Sequence, residues 1–266
     1  KILYGIYAAL TLVLMILLML GGMDLYEAAI HAFGTAGTGG FSNRNLSIGA
    51  YNSVYFDVVI TVFMLVFGVN FNLSYFLLIR KFRDVFRSEE LRWFLGIVVA
   101  SAVVIALNIM PMYGSFLTGL RYAFFQVASI ISITGYATAD FNLWPQASKM
   151  LMLLLMFSGA CAGSTAGGMK MVRVAMLCKL GRREIRRAFQ PRKVQVVRFE
   201  GKGVEENMLA QIAVFCMVYV ALALLGALVV SLEGKYDMIT NLTASITAIC
   251  KRLIGDSASA TRGSII

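Results

Sequence analysis

Long apolar runs, separated by shorter polar segments, make up most of the chain. An α-helix needs about 20 mainly apolar residues to cross the hydrocarbon core of a bilayer. Five runs meet this length, namely 2–22, 53–79, 93–112, 150–180 and 207–231. The fourth run contains a stretch of small residues that should interrupt a helix. The pattern therefore predicts an all-α integral membrane protein with five crossings, of which the fourth is broken.

Shorter apolar stretches lie between these spans. Residues 25–35 and 117–131 are too short to cross a bilayer, so they predict re-entrant half-helices, and 236–249 has the same character. Each of the first two stretches is followed by a loop rich in Gly, Thr and Ser, at 35–42 and 132–138. The chain thus predicts repeated units of span, pore half-helix, filter loop and span.

The two loops can be matched to each other. Placing Thr38-Gly39 on Thr134-Gly135 aligns the first two units, and a third copy begins at Asn207. An internal repeat of this length is evidence about the whole fold, because each unit must pack against its neighbours.

The composition supports a membrane protein. Hydrophobic residues make up 59% of the chain and charged residues only 14%, whereas about 25% of an ordinary soluble domain is charged. These values exclude a disordered chain, a disulfide scaffold and most soluble enzymes. The four cysteines are scattered and there is a single histidine, so we predict no zinc site.

The distribution of charge predicts the orientation. Most of the 24 Lys and Arg residues fall in the segments 80–92 and 170–202. By the positive-inside rule these segments are cytoplasmic, and 24–52 and 113–148 face outward. The net charge of +10 is therefore a signal of topology, and we predict no nucleic-acid partner. Contact with anionic lipid or with a protein partner is the secondary interpretation.

The two loops carry the candidate chemistry. Irregular backbone at membrane depth is tolerated only where it is buried in protein or lines a cavity. Carbonyl oxygens in such a loop can replace the hydration shell of a hard monovalent cation, and glycine permits the backbone conformations that this needs. Because neither loop contains a carboxylate, a bound cation would be free to leave. The candidate filter residues are Thr38, Gly39, Gly40, Ile133, Thr134, Gly135 and Tyr136.

Several motifs resemble one known family. The segments 31–42 and 132–141 resemble its second and third pore loops, and 159–170 resembles the glycine-rich break in its third repeat. The segment 68–73 is similar to a weaker family pattern. On these motifs the chain resembles the Trk/Ktr/HKT superfamily of potassium uptake proteins, most closely its TrkH/TrkG-type membrane subunit.

The resemblance implies a four-repeat, pseudo-fourfold pore with one filter glycine in each repeat. These glycines would be Gly39 and Gly135, whose carbonyls would bind K⁺ as the transported ion. Residues 1–92 would form the second repeat, 93–205 the third, and 206–266 a truncated or frame-disrupted last repeat. A gate loop below the filter would comprise Gly159, Gly163, Ser164, Thr165, Gly167, Gly168 and Lys170.

The resemblance also implies partners and a location. We expect a multi-pass protein of the bacterial plasma (inner) membrane that is embedded in the lipid bilayer as a homodimer. A cytosolic nucleotide-binding subunit of the TrkA/KtrA type would regulate it. Uptake would be channel-like or coupled to Na⁺ or H⁺. No organic cofactor is expected, and the scarcity of acidic residues within the spans argues against an enzyme.

The chain departs from the family pattern at both ends. It opens at what resembles the second repeat, and Lys251-Arg252 follows Cys250 where the last filter is expected. A basic side chain at the centre of a membrane costs about 2.5–3.5 kcal/mol on insertion scales. We therefore expect a truncation or a reading-frame error near Lys251, and a chain that does not conduct by itself.

Other interpretations remain open at this point. The chain is alternatively a secondary transporter for another solute, or a non-conducting scaffold whose basic face 179–202 docks a cytosolic regulator. Lys170 either anchors the gate loop or extends to the cytoplasmic surface. Asp140 either attracts cations or caps the following turn. We expect His31 to be structural and Asn70 to pack between helices.

Overall fold

The computed structural model describes residues 2–190, 196–234 and 236–251. The predicted disruption after Lys251 therefore falls outside the described residues. Within them, the regular structure is helical apart from a short hairpin in which Arg198–Phe199 pairs with Lys202–Gly203. The helices are α1 (Ile2–Leu20), α2 (Leu25–Ala36), α3 (Val54–Gly68), α4 (Phe71–Leu78), α5 (Phe82–Arg87), α6 (Glu89–Tyr113), α7 (Phe116–Ile131), α8 (Gln146–Ser158), α9 (Met171–Phe189), α10 (Glu206–Ser231) and α11 (Met238–Lys251).

The helices follow the predicted repeat. Helices α1 and α2 precede α3 and α4, α6 and α7 precede α8 and α9, and α10 precedes α11. In each unit the half-helix packs against the long helix before it. The three predicted half-helices are therefore confirmed as α2, α7 and α11.

Three helices, α1, α6 and α10, are long and apolar enough to cross a bilayer within the described part of the chain. Large apolar side chains such as Leu12, Val104 and Leu225 are exposed on them, which is the surface that lipid would cover. The predicted break in the fourth span is confirmed, because α8 ends at Ser158 and α9 begins at Met171.

The predicted second span is not a single helix, and this expectation is wrong. Helix α3 ends at Gly68, the backbone of Val69 is extended with φ −85° and ψ 154°, and α4 begins at Phe71. The side chain of Asn70 accepts a hydrogen bond from the backbone N–H of Asn72 at 2.9 Å, as a residue at a helix start does. Because both sides of this break are apolar, hydropathy gives no sign of it.

The core of the first unit is completed by the second unit. Leu14, Ile60 and Phe67 belong to the same buried cluster as Phe125 and Tyr136. A second cluster joins α6, α7 and α8 to α10 and α11. Neighbouring units therefore share their cores, so the loops that follow the half-helices are held close to one another.

Candidate functional site

The first pore loop begins where α2 ends. The N–H groups of Gly39 and Gly40 both donate to the Gly34 carbonyl, at 2.7 and 3.3 Å, and the N–H of Thr38 donates to the Thr35 carbonyl at 3.2 Å. Thr38 and Gly40 have φ values of 51° and 70°. The chain thus turns at the end of the half-helix through left-handed backbone, which glycine adopts most readily.

The second pore loop turns in the same way at the end of α7. The N–H groups of Thr134 and Gly135 both donate to the Ser129 carbonyl, at 2.9 and 3.3 Å, and Ile133 donates to Ile130 at 3.0 Å. Ile133 and Gly135 have φ values of 58° and 89°.

This shared backbone pattern sets the register between the loops. Gly40 corresponds to Gly135, because both have positive φ and both make the longer of two paired hydrogen bonds. The predicted match of Thr38-Gly39 with Thr134-Gly135 is therefore wrong by one residue. That match relied on the identical Thr-Gly dipeptides, whereas the structure aligns the loops by backbone conformation.

The two loops touch at this point. A Cβ atom added to Gly40 would lie 1.9 Å from the carbonyl oxygen of Thr134, which is far inside van der Waals contact. The first loop can therefore approach the second only because Gly40 has no side chain. Peptide oxygens of two repeats are consequently brought into one small region.

Tyr136 links the first two units. Its ring is fully buried, and its hydroxyl lies 3.2 and 3.3 Å from the carbonyl oxygens of His31 and Phe41. A Cβ on Gly34 would lie 2.3 Å from this hydroxyl oxygen, so Gly34 provides the space for it. The Tyr136 carbonyl accepts the Ser129 hydroxyl at 2.6 Å. The hydroxyl and the carbonyl of Tyr136 thus have protein partners, and the residue fixes one loop against the other.

His31 and Asp140 have structural partners. The His31 Nδ1 atom lies 2.7 Å from the Glu27 carbonyl and donates to it, so Nε2 accepts from the Ser42 hydroxyl at 3.0 Å. The expected structural histidine is confirmed. Asp140 accepts the N–H of Asn142 at 2.9 Å, so the structure shows the capping role that was one of its two interpretations.

The loop between α8 and α9 lies directly against the loop that follows α7 and against the end of α11. A Cβ on Gly168 would lie 2.7 Å from Cδ1 of Ile133, and one on Gly167 would lie 2.1 Å from the carbonyl oxygen of Cys250 at the end of α11. Backbone of positive φ occurs at several of its glycines, namely Gly159, Gly163 and Gly168. The segment thus contacts the loop that follows α7 at Ile133.

Side chains of this loop bind within it and to the end of α3. The ammonium group of Lys170 donates to the Ala166 carbonyl, so of its two interpretations the anchoring role is the one that the structure shows. Lys170 itself has a φ of 75°. The Ser164 hydroxyl donates to the Cys161 carbonyl at 2.6 Å, and the Thr165 hydroxyl reaches the Phe67 carbonyl at 3.4 Å.

The break in the second span meets the break in the fourth. The N–H of Cys161 donates to the Gly68 carbonyl at 3.0 Å, and the N–H of Phe71 donates to the Gly163 carbonyl at 3.3 Å. Asn70 lies against Gly163, since an added Cβ there would come within 2.9 Å of its Oδ1 atom. Backbone groups that each helix loses at its break are thus satisfied by the other break.

Almost the whole chain matches the model of one protein family. The model of the TrkH family, whose members are described as cation transport proteins, matches residues 1–251. The chain belongs to the TrkH family.

Individual relatives agree with this assignment. The chain is 32% identical over 256 residues to the Trk system potassium uptake protein TrkH of Salmonella typhimurium, covering 95% of this chain and 53% of that protein. It is 32% identical over 260 residues to the Trk system potassium uptake protein TrkG of Escherichia coli, covering 96% and 53%. The chain therefore spans about half the length of these relatives.

A solved structure shows the same fold. The crystal structure of the potassium transporter TrkH from Vibrio parahaemolyticus superposes with a TM-score of 0.86 at 29% identity, and the match covers 93% of this chain and 54% of that one. The predicted class of all-helical membrane protein is confirmed, and the relatives are transporters rather than enzymes.

Sequence reasoning missed two buried acidic residues of this TrkH-family chain. Asp57 on α3 pairs with Arg121 on α7 at 3.2 Å, and their side chains are 5% and 21% exposed. Glu90, at the start of α6, accepts the N–H of Ala162 in the loop between α8 and α9 at 2.6 Å. A lone acid within an apolar run needs a partner, and this signal would have singled out Asp57. Glu90 follows Glu89 directly, so no signal in the sequence distinguishes it from its neighbour.

The predicted cytoplasmic side carries a network of charged side chains. Lys179 pairs with Glu89 and donates to the Arg198 carbonyl. Arg183 pairs with Glu206. The remaining arginines near the end of α9 are exposed, namely Arg182, Arg186 and Arg187. The basic residues of 191–195 lie outside the described residues.

Proposed function

We propose that this chain contributes pore-loop units to a K⁺ uptake pathway, in which K⁺ is the transported ion. The observation that carries the proposal is the contact between Gly40 and the Thr134 carbonyl at equivalent turns of two repeats. The relatives described above are named as potassium uptake proteins, and they support the choice of ion.

The oxygen ligands belong to the backbone of the two loops. Carbonyl oxygens of Thr38, Gly39 and Gly40 in the first loop, and of Ile133, Thr134 and Gly135 in the second, are the candidate ligands. Tyr136 holds the loops together through its hydroxyl. A half-helix carries partial negative charge at its C-terminal end, so α2 and α7 add a favourable field for a cation at their ends.

The loop 159–170 is the proposed gate. It contacts the second filter loop through Gly168 and the end of α11 through Gly167, and its glycines give the backbone the freedom to change conformation. Lys170 stabilises one conformation of the loop through Ala166.

Uptake of Rb⁺ by cells that lack their own K⁺ uptake tests the filter, with the protein expressed from its complete gene. Gly40→Ala places a methyl group on the Thr134 carbonyl, and we expect uptake to fall about tenfold or more, since a cost of only 1.4 kcal/mol already gives that factor. Gly135→Asp adds a carboxylate to strained backbone in the other loop and is expected to abolish uptake.

Gly96→Ala is the matched control. Gly96 lies within α6, and an added Cβ meets no atom within 4 Å, so uptake should equal that of the wild type. Normal Rb⁺ uptake by Gly40→Ala and Gly135→Asp at normal protein levels would reject the filter. A secondary transporter for another solute, or a scaffold, would then be the better interpretation.

The assembly is part of the same proposal. We infer a homodimer in the bacterial inner membrane, regulated by a cytosolic nucleotide-binding subunit that docks on the basic end of α9. The observation that favours this surface is the exposure of Arg182, Arg186 and Arg187 beside the exposed Ile185 and Phe189. Replacing these three arginines by Gln should abolish co-purification of the regulator. Loss of binding in the control Phe86→Ala, which removes no charge, would argue against a specific site.

A further inference from the structure

Glu90 is a buried charged side chain that the filter does not use. Its residue is 6% exposed, and its Oε1 atom accepts the N–H of Ala162 at 2.6 Å. The ammonium group of Lys170, at the other end of the loop, attracts the same carboxylate. One carboxylate therefore interacts with both ends of the loop 159–170.

The first half of this loop has several backbone anchors. The Ala160 carbonyl accepts the N–H of Met171 at 2.9 Å. Cys161 and Gly163 exchange hydrogen bonds with the break between α3 and α4, as described above. With the bond from Ala162 to Glu90, consecutive residues from Ala160 to Gly163 are tied to α9, to α6 and to the break between α3 and α4.

The second half of the loop contacts the pathway instead. Gly167 and Gly168 lie against Cys250 and Ile133, and the Lys170 side chain binds Ala166 within the loop. The loop is thus divided into an anchored half and a half that closes against the filter. A glycine-rich segment loses much conformational entropy when it is ordered, so its closed conformation depends on its anchors.

We propose that Glu90 is a positioning residue of the gate, which holds the first half of the loop so that the second half blocks the pathway. The inference rests on the proposed function, because a gate has meaning only in a conducting protein. A hydrogen bond to a charged acceptor is stronger than one between neutral groups. Leaving the partly buried Ala162 N–H without its acceptor therefore disfavours the closed loop.

Two measurements on the complete protein test this role. We expect Glu90→Ala to raise basal Rb⁺ uptake per molecule about tenfold. This factor is the lower end of the range expected for the loss of a hydrogen bond to a charged group. Glu90→Gln keeps an acceptor oxygen without the charge and should give a smaller rise. The second measurement is the rate at which a thiol reagent labels Thr165→Cys in inverted vesicles, whose cytoplasmic side faces the reagent. The protein carries Cys178→Ala, so that this exposed thiol does not react. Adding Glu90→Ala should increase the labelling rate.

Glu89→Ala is the matched control. Glu89 is the neighbouring acid at the same helix end, and it binds Lys179 and the N–H of Glu200 rather than the gate loop. Basal uptake and labelling should equal those of the wild type. A structural role alone would lower the amount of protein in the membrane without raising uptake per molecule.

The outcomes separate this proposal from the filter. Faster labelling together with higher uptake supports the positioning role. Unchanged labelling in Glu90→Ala and Glu90→Gln, or uptake per molecule that is unchanged or reduced, overturns it. Normal uptake by Gly40→Ala would instead reject the filter, and the labelling rates would still decide whether Glu90 anchors the loop, because they do not depend on ion flux.

Discussion

At the scale of single residues, the candidate site depends on close contacts that leave no space for another atom. A Cβ at Gly34 would collide with the Tyr136 hydroxyl, and one at Gly40 would collide with the Thr134 carbonyl. Both glycines belong to the first unit, while the Tyr136 hydroxyl and the Thr134 carbonyl belong to the second. Single atoms thus decide how closely two repeats approach each other.

Tyr136→Phe tests this contact at the same scale. The substitution removes the hydroxyl that lies between the His31 and Phe41 carbonyls and leaves the ring in place. We expect it to lower the free energy of unfolding by about 1 kcal/mol, the usual net value of one hydrogen bond. Thermal unfolding of the purified protein measures the effect.

The exposed Tyr26 provides the control. Its side chain is 67% exposed, so Tyr26→Phe should leave the melting temperature unchanged. Equal melting temperatures for the two variants would show that the Tyr136 hydroxyl does not link the units.

At the scale of whole elements, two features join the first unit to the second. The broken span of each unit supplies backbone partners to the other. In addition, Asp57 on α3 of the first unit pairs with Arg121 on α7 of the second unit. An ion pair therefore ties the half-helix α7 to the preceding unit. A buried charge left without its partner is costly, and this makes the pair a test of how the units are held together.

Arg121→Gln should destabilise the protein by about 3–5 kcal/mol, because it leaves the Asp57 carboxylate buried and unpaired. Asp57→Asn should cost less, because Arg121 is 21% exposed and keeps its contact with Tyr122. The double variant should lose less than the sum of the two, since no unpaired charge remains. Thermal unfolding of the three variants measures this coupling.

Arg44→Gln is a comparison in the same protein. Arg44 pairs with Glu27 at 2.5 Å, but its side chain is 51% exposed, and exposed pairs contribute about 0–1 kcal/mol. Additive effects of Asp57→Asn and Arg121→Gln would mean that the two side chains do not interact.

At the scale of the whole molecule, the distribution of charge and the order of the helices specify one orientation. The described thiols include three buried ones, and Cys178 on α9 is exposed. It lies among the basic residues that predict the cytoplasmic side. On the side predicted to face outward, Leu143 is 73% exposed in the segment between α7 and α8.

A membrane-impermeant maleimide tests this orientation. In intact cells we expect it to leave Cys178 unlabelled and to label Leu143→Cys in a Cys178→Ala background. In inverted vesicles the two results should be exchanged. Labelling of Cys178 in intact cells would invert the topology and would place the proposed regulator surface outside the cell.

The sequence by itself determined the succession of elements. Spans and half-helices follow from the lengths of apolar runs, since a bilayer imposes a minimum length on any helix that crosses it. The repeat follows from the recurrence of those lengths, and the glycine-rich break at 159–170 follows from local composition. These features depend on neighbouring residues and on the solvent, so a single sequence suffices to predict them.

The tertiary structure decided the contacts between segments that are distant in the chain. It set the equivalence of Gly40 with Gly135, which depends on backbone conformation rather than on residue identity. It also revealed the break at Asn70, whose backbone partners lie some 90 residues away in the loop 159–170, and the binding of Glu90 to Ala162. Apolar periodicity carries no information about such pairs, because the partner of a buried polar group is fixed only when the helices pack.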